Sequence, residues 1–234
     1  VLELLEKELK KKEFAALVME PYQGRGGKRG FSSEFIKNCQ TLCKKYGTLV
    51  IFDEIYTGFG RTGKLFGFQN YNIVPDILIL GKALSGGVLP VSAVLSTHEI
   101  MLTLKPGEHG STFGGNPLAC AVAETAFDLI NDPAMLAGVK EREGWFRAEL
   151  EKINAQYHCF SEVRGQGLLL GAVLTEAFAG KAKAFVDAGI EQGVLVLVAG
   201  PNVVRFAPAL NLTAEEFAEG MRRFVLAVAQ VVNA

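Results

Sequence analysis

Short runs of apolar residues alternate with segments of helical periodicity along the first half of the chain. The unbroken run before Asp53 is typical of a parallel strand covered on both faces. Strands are predicted at 14–19, 48–54, 76–80 and 90–96, and helices at 1–13, 34–46, 97–104 and 117–131. This alternation predicts an α/β domain with a mainly parallel sheet.

A change of pattern follows Asp132-Pro133. A charged amphipathic helix is predicted at 134–155, in which Trp145 and Phe146 are expected to pack internally. Further strands are predicted at 160–163, 167–174, 194–198 and 203–208, and helices at 177–192 and 214–232. We therefore predict two domains, a partial α/β domain at 1–132 and a small α+β domain at 133–234.

The helix predicted at 117–131 carries apolar residues on most of its faces. A helix with this pattern is expected to be buried. Its apolar positions include Leu118, Ala121, Val122, Ala126, Phe127 and Ile130.

Charge and cysteine usage narrow the range of partners. The 234 residues are 49% hydrophobic, and 24 basic residues nearly balance 25 acidic ones, which favours a small-molecule partner over nucleic acid or a membrane surface. The four cysteines lack a metal-ligand or disulfide spacing, and the histidines match no metal-binding pattern, so no metal is expected. Because no apolar run approaches membrane-span length and no secretory leader is recognised, we expect a cytoplasmic protein.

One lysine stands out at the end of a predicted strand. Lys82 comes after four apolar residues and Gly81, and before the pair Gly86-Gly87. This pattern predicts a short buried strand that is followed by a loop carrying the Lys82 amine. A partly buried lysine is a better nucleophile and can hold a carbonyl cofactor as a Schiff base, whereas the alternative is an ordinary surface lysine. Asp53 ends another predicted strand, and ligands of open α/β sheets bind beyond such strand ends.

Three glycine-rich segments invite a ligand interpretation. The segment 58–63 fits the glycine pattern of a dinucleotide-binding turn, but no helix follows it, so we reject a nicotinamide dehydrogenase. The basic segment 24–30 resembles a nucleic-acid or phosphate loop, yet a flexible basic turn is the better interpretation. In 110–116, hydroxyls among glycines suit a phosphate, and an ordinary turn before a helix is the alternative.

Arg205 lies in the apolar strand predicted at 203–208. A guanidinium in this setting requires a partner, and a carboxylate is the best geometric match. Two interpretations stay open, a bound carboxylate ligand and an internal salt bridge.

Together these residues resemble the class III aminotransferases of the ornithine and acetylornithine type. The resemblance covers essentially the whole chain and follows the family order of motifs. The matching motifs are Glu20-Pro21-Tyr22-Gln23-Gly24, Asp53-Glu54-Ile55, Gly60-Arg61-Thr62-Gly63, Pro75-Asp76, Gly81-Lys82-Ala83-Leu84-Ser85-Gly86-Gly87, Ser111-Thr112-Phe113-Gly114-Gly115-Asn116-Pro117 and Arg205-Phe206-Ala207-Pro208. The resemblance implies a pyridoxal 5'-phosphate enzyme of the aspartate aminotransferase fold (fold type I), with residues 1–132 forming part of the large cofactor-binding domain.

The resemblance also implies roles for individual residues. Lys82 would form the Schiff base with pyridoxal phosphate and move the proton, and Asp53 would pair with the pyridine nitrogen. Arg205 would hold the α-carboxylate of glutamate or 2-oxoglutarate. The implied reaction moves an amino group from ornithine, acetylornithine or succinylornithine to 2-oxoglutarate.

A second set of roles concerns the cofactor phosphate and the subunit arrangement. Ser111 and Thr112 are the implied cofactor-phosphate residues, with Thr112 reaching the neighbouring subunit's cofactor. The resemblance thus implies a homodimer. Tyr56 stands where relatives often have a glutamine that touches the cofactor's ring hydroxyl, and its own hydroxyl can serve instead.

Besides Tyr56, the chain departs from the family at Arg25 and in length. Arg25 replaces a glutamate that masks the substrate arginine in many relatives; Arg25 and Glu20 are further candidates for substrate contact. Family chains are substantially longer, and their N-terminal part supplies the cofactor-phosphate turn and the ring-stacking aromatic, so we interpret this chain as a fragment. The alternatives are an aminotransferase for 4-aminobutyrate or another ω-amine, or a catalytically incomplete fragment.

Overall fold

A computed structural model describes residues 1–24, 27 and 29–234. The candidate Arg25 therefore lies outside the described residues. The chain divides into two compact units: the first holds residues 1–21, 31–59 and 64–132, and the second holds 22–30, 60–63 and 133–234. The predicted single boundary near residue 132 leaves residues 22–30 and 60–63 in the first domain, whereas they belong to the second unit.

A four-stranded sheet forms the centre of the first unit. Its strands are β1 (Ala16–Met19), β2 (Leu49–Asp53), β3 (Ile77–Leu80) and β4 (Ala93–Ser96), in the spatial order β1-β2-β3-β4. The first three strands run parallel, and β4 runs antiparallel to β3. The Asp76 carboxylate accepts the Val50 amide hydrogen at 2.7 Å, which ties the beginnings of β2 and β3 together. The three parallel strands therefore end at one edge of the sheet.

Four α-helices complete this unit. They are α1 (Leu2–Leu9), α2 (Ser33–Tyr46), α3 (His98–Met101) and α4 (Pro117–Ile130). The start of α2 is fixed by the Ser32 hydroxyl, which accepts the Phe35 amide hydrogen at 3.1 Å. Two short 3₁₀ helices lie at Gly67–Tyr71 and Lys82–Ser85. The apolar side of α2 and the sheet enclose a core that includes Ile36, Val50, Phe52 and Leu80.

The second unit packs three helices against an antiparallel sheet. Its strands are β5 (Phe160–Gln166), β6 (Leu169–Leu174), β7 (Leu197–Val198) and β8 (Val203–Phe206), in the order β5-β6-β8-β7. Its helices are α5 (Pro133–Tyr157), α6 (Ala182–Glu191) and α7 (Ala214–Val232). Alternate residues of β6 and β8 enter the core with Phe185 and Phe224, both fully buried. Trp145 and Phe146 pack against Phe217, as predicted.

Several predicted elements differ from the observed ones. The helix predicted at 97–104 is confined to α3, and the one predicted at 177–192 is a 3₁₀ turn (Glu176–Phe178) followed by α6. Glycine at 180, with φ of +80°, interrupts the second of these helices. The predicted burial of α4 is wrong for Leu118, which is 66% exposed, and for Ala121. A helix that is apolar on most faces packs only one of them within this unit, where Ala119 and Ala126 are buried.

No helix within the described residues is long and apolar enough to cross a membrane.

Candidate active site

The carboxyl-terminal edge of the parallel strands gathers the candidate residues of the first unit. Glu20 follows β1, Asp53 ends β2, and Lys82 lies two residues beyond β3. Asp53 is in register with Ile79 on the neighbouring strand, three positions before Lys82. Because parallel strands end at the same edge, the sheet brings a carboxylate and an amine to one location.

Asp53 is oriented by the backbone that follows it. Its Oδ1 atom accepts the Ile55 amide hydrogen at 2.9 Å. This bond between residues two apart closes a local turn and fixes the carboxylate at the strand end. The side chain is half-buried, so it remains accessible from the edge of the sheet.

Lys82 departs from the expectation of a partly buried amine. Its side chain is exposed, because the backbone leaves the sheet at Gly81 and begins a 3₁₀ turn at Lys82. Desolvation of the amine therefore has no support in the described structure. The Lys82 φ angle is +44°, a left-handed conformation that is unfavourable for a residue with a β-carbon.

Tyr56 contacts Lys82 through the face of its ring. The Lys82 Nζ atom lies 4.0 Å from the centre of the Tyr56 ring, which is close enough for a cation–π interaction. The sequence indicated the Tyr56 hydroxyl as the functional group. In the structure it is the aromatic face that contacts the Lys82 amine.

A cavity of about 510 Å³ lies beside Lys82 in the first unit. Lys82 and Ser111 both line it, so the structure brings these two candidates together, whereas Thr112 is exposed and is not part of the lining. The Ser111 hydroxyl accepts the Gly114 amide hydrogen at 3.0 Å, which folds 111–114 into a tight turn. The remaining lining residues are Leu89, Pro90, Val91, Ser92, Phe113, Gly114, Gly115, Asn116 and Ala119.

Glu54 is a supporting residue to which the sequence analysis gave no role. Its fully buried carboxylate accepts hydrogen bonds from the Thr57 hydroxyl at 2.9 Å, from the Phe68 amide at 2.7 Å and from the Gly67 amide. Burial raises the pKa of Glu54, and these hydrogen bonds oppose the shift. The signal in the sequence was the adjacent pair of acids at the end of β2. Successive residues of an extended backbone point to opposite sides, so Asp53 and Glu54 are expected to have different surroundings.

Arg205 lies in the second unit, on β8 between β6 and β7. Its Nε atom is buried and has no hydrogen-bond acceptor among the described residues. No ion pair of Arg205 occurs in that part of the chain either, so the internal salt bridge finds no support there. The guanidinium retains unused capacity for an anion.

Arg61, by contrast, is committed to the fold of the second unit. Its Nη1 atom donates to the carbonyl oxygens of Pro208 at 2.6 Å and Leu168 at 3.2 Å. The Arg61 carbonyl in turn accepts the Leu168 amide hydrogen at 3.0 Å. The glycine-rich motif around Arg61 thus anchors a segment of this unit, in agreement with the rejection of a dinucleotide turn.

This combination of fold and strand-end residues agrees with the comparison with protein families. The family described as "Aminotransferase class-III" matches residues 1–228. The chain belongs to this family, as the sequence motifs indicated. The predicted aspartate aminotransferase-like fold (fold type I) is also confirmed by the solved structures described next.

Similar proteins carry names from ornithine metabolism. Succinylornithine transaminase from Yersinia pseudotuberculosis serotype O:1b (strain IP 31758) is 49% identical over 216 residues, which are 92% of this chain and 52% of that protein. Acetylornithine aminotransferase from Vibrio cholerae serotype O1 is 50% identical over 217 residues, which are 93% of this chain and 54% of that protein. The chain spans about half the length of the curated relatives that it matches.

Solved structures give the same picture. N-acetylornithine aminotransferase from Stenotrophomonas maltophilia K279a superposes with a TM-score of 0.92 at 40% identity, covering 100% of this chain and 61% of that one. Ornithine aminotransferase from Toxoplasma gondii ME49 gives 0.91 at 37% identity, covering 99% and 55%. A second structure of the Toxoplasma enzyme records partial occupancy of pyridoxal phosphate at its active site.

The described residues fit the cofactor of the family. Class-III aminotransferases depend on pyridoxal phosphate, as the resemblance implied. A carbonyl group requires an accessible amine, which the exposed Lys82 provides. A protonated ring nitrogen requires a carboxylate, which Asp53 provides at the end of the adjacent strand.

Proposed function

We propose that the full-length protein moves an amino group from ornithine, acetylornithine or succinylornithine to 2-oxoglutarate, with pyridoxal phosphate as cofactor. The observation that carries the proposal is the placement of Asp53 at the end of β2 and of Lys82 just beyond the end of the adjacent parallel strand β3. Relatives named for succinylornithine and acetylornithine are 49% and 50% identical to the chain, and a solved structure named for ornithine is 37% identical, which supports the choice of substrates.

Lys82 and Asp53 have complementary tasks in this proposal. Pyridoxal phosphate, when bound, supplies an electron sink for the charge that develops on the substrate carbon. Lys82 would be the residue whose Nζ atom holds the cofactor's carbonyl carbon, and the same amine would serve as the group that moves a proton to and from the substrate carbon. The Asp53 carboxylate holds a proton on the ring nitrogen, because a nearby negative charge favours the protonated nitrogen. The hydrogen bond from the Ile55 amide to Oδ1 would hold the carboxylate in place for this task.

Substrate recognition is assigned to three residues. Arg205 binds a substrate carboxylate with its guanidinium fork, for which its unpaired Nε is the supporting observation. Glu20, which follows β1 at the edge that carries Asp53, is proposed as a further substrate contact. Arg25 is proposed in the same role on sequence grounds alone; if its side chain points toward the substrate, it favours donors that carry their own carboxylate, and charge repulsion between the two arginines is the reason for the opposite orientation.

The remaining assignments concern the cofactor contacts and the assembly. Tyr56 contacts the cofactor with its hydroxyl or ring face, and Ser111 lies next to Lys82 in the same cavity. Thr112 is proposed to reach the cofactor phosphate of a second subunit in a homodimer, in keeping with its exposed position. We further propose a cytoplasmic role in arginine metabolism.

The covalent assignment is tested by trapping. The full-length protein is incubated with pyridoxal phosphate, reduced with borohydride and digested, and the modified peptide is identified by mass spectrometry. We expect the label on Lys82, with Lys64, an exposed lysine of the same unit, as the internal control. Labelling at another lysine with Lys82 unmodified contradicts the assignment.

The donor is tested by competition. Acetylornithine, succinylornithine, ornithine and 4-aminobutyrate are supplied together with 2-oxoglutarate, and the consumption of each donor is measured. We expect the three ornithine-type donors to be consumed first. A preference for 4-aminobutyrate or another amine without an α-carboxylate favours the ω-amine alternative, and no turnover by the full-length protein contradicts the proposed function.

A further inference from the structure

Two arginines occupy one row across the sheet of the second unit. Arg164 on β5 is in register with Gly171 on β6, and Gly171 is in register with Arg205 on β8. Directly paired residues of antiparallel strands point to the same face of a sheet. Adjacent strands lie about 4.8 Å apart, so the two arginine α-carbons are separated by roughly 10 Å. Gly171 contributes no side chain between them.

This row lies on the face opposite the hydrophobic core. The neighbouring row, formed by Val163, Ala172 and Val204, packs into the core under the helices. Since successive strand residues alternate in direction, Arg164 and Arg205 point away from that core. A second part of the same unit approaches this face, because a β-carbon on Gly27 would lie 3.8 Å from the Arg164 Nη2 atom.

Both guanidinium groups have unused hydrogen-bonding capacity. The Nε atoms of Arg164 and Arg205 are buried and have no acceptor within the described part of the chain. The Glu162 carboxylate lies 3.5 Å from the Arg164 Nε atom, but its side chain is 55% exposed and the contact is an ion pair without a hydrogen bond. Buried donors without acceptors cost free energy that a well-placed anion removes.

We propose that Arg164 is a second anion-binding residue, which acts with Arg205 to hold a small dicarboxylate. An extended five-carbon dicarboxylate places one carboxylate on each guanidinium fork, whereas a monocarboxylate engages one fork at a time. The choice of a dicarboxylate rests on the proposed function, in which 2-oxoglutarate is a substrate. Arg164 thereby contributes to the selection of the amino acceptor.

The experiment observes the two Nε–H groups directly. The chain is labelled with ¹⁵N-arginine and titrated with glutarate, butyrate and inorganic phosphate, while the Nε–H resonances are followed by NMR. Arg164→Lys and Arg205→Lys assign the signals. The Nε–H of Arg147, which donates to Glu143 at 2.9 Å, is the internal reference that stays in place.

We expect glutarate to shift the Arg164 and Arg205 signals with one common dissociation constant. Butyrate and phosphate are expected to bind at least ~10-fold more weakly, since each lacks the second charge-assisted contact. Arg164→Gln is expected to weaken glutarate binding by ~10-fold or more. Arg222→Gln, which removes an exposed guanidinium paired with Glu219, is the matched control and is expected to leave binding unchanged.

Several results would overturn the proposal: a shift of Arg205 alone, no shift of either signal, equal or tighter binding of butyrate or phosphate, or unchanged affinity in Arg164→Gln. The wild-type spectra decide the matter even if a variant does not fold. The function is scored separately by transamination in the full-length protein. Glutarate binding without turnover supports the anion site and contradicts the proposed function. Turnover without movement of the Arg164 signal supports the proposed function and contradicts the anion site.

Discussion

The sheet edge that carries Asp53 and Lys82 differs sharply from the core of the second unit. In the second unit, α5, α6 and α7 cover one face of the sheet, and large side chains such as Phe185 and Phe224 are fully buried. In the first unit, the strands have four or five residues and end in loops, and Leu118 and Leu129 on α4 are each 66% exposed. Side chains in the second core are committed to packing, whereas the proposed cofactor residues Asp53 and Lys82 lie at a sheet edge where packing is incomplete.

The comparison predicts that truncation of an apolar side chain costs much more stability in the core of the second unit than on α4 of the first. Phe224 is fully buried and packs edge-on against Phe206, with ring centres 5.1 Å apart. Phe224→Ala should lower the free energy of unfolding by about 3–5 kcal/mol, because it removes buried area and leaves a cavity. Leu118→Ala on α4 is the matched control and should change it by less than about 0.5 kcal/mol. Urea denaturation of each variant measures both values.

Equal losses in these two variants would contradict the distinction between the units. A large loss in Leu118→Ala that depends on protein concentration would show instead that α4 is buried in an assembly, since association couples stability to concentration.

The second prediction concerns activity rather than stability. Asp53→Asn removes the negative charge from the strand end and keeps the shape and the acceptor for the Ile55 amide. We expect kcat of the full-length protein to fall by about 10²–10³-fold, comparable to the loss of one preorganised electrostatic contact. The melting temperature should change little, because the side chain is half-buried and retains its local hydrogen bond.

Asp187→Asn, an exposed acid on α6, serves as the control for charge removal. If Asp53→Asn retains full kcat, then Asp53 does not act on the cofactor ring.

The sequence predicted most strands and the positions of Asp53 and Lys82 at the ends of neighbouring strands. Unbroken apolar runs ending in Asp53 or just before Lys82 are local signals, and the parallel arrangement brings their ends together. The family motifs added Thr112 and Arg205, whose roles remain predictions.

Properties that depend on tertiary contacts were not predictable in this way. The exposure of Lys82 depends on how the backbone leaves the sheet at Gly81, and the burial of α4 depends on which neighbours cover it. The common row of Arg164 and Arg205 depends on strand register between residues 41 positions apart in the chain, which no local pattern encodes.

The third prediction tests how the loop beyond Asp53 is held. Glu54 accepts three hydrogen bonds on two oxygens, from Thr57, Gly67 and Phe68. Glu54→Gln replaces one acceptor oxygen with a donor, so a buried amide loses its partner. We expect the free energy of unfolding at pH 7 to fall by about 1–3 kcal/mol in urea denaturation.

Glu141→Gln on the exposed side of α5 is the control and should be neutral. An unchanged stability of Glu54→Gln would mean that the buried group is a carboxylic acid rather than a carboxylate, since the amide then replaces a hydroxyl of similar size.

The smallest expected effect concerns the backbone conformation of Lys82 and is independent of its amine. At φ of +44°, a residue with a β-carbon is strained, whereas glycine adopts this conformation without cost. Lys82→Gly should therefore be more stable than Lys82→Ala by about 1 kcal/mol, although both variants lose the amine. Lys64 is an exposed lysine outside the left-handed region. There the glycine variant should be less stable than the alanine variant, because glycine only adds freedom to the unfolded chain. The same order at both positions would remove the argument for strain. The expected reversal would mean that the surrounding structure holds the backbone at Lys82 in an unfavourable conformation.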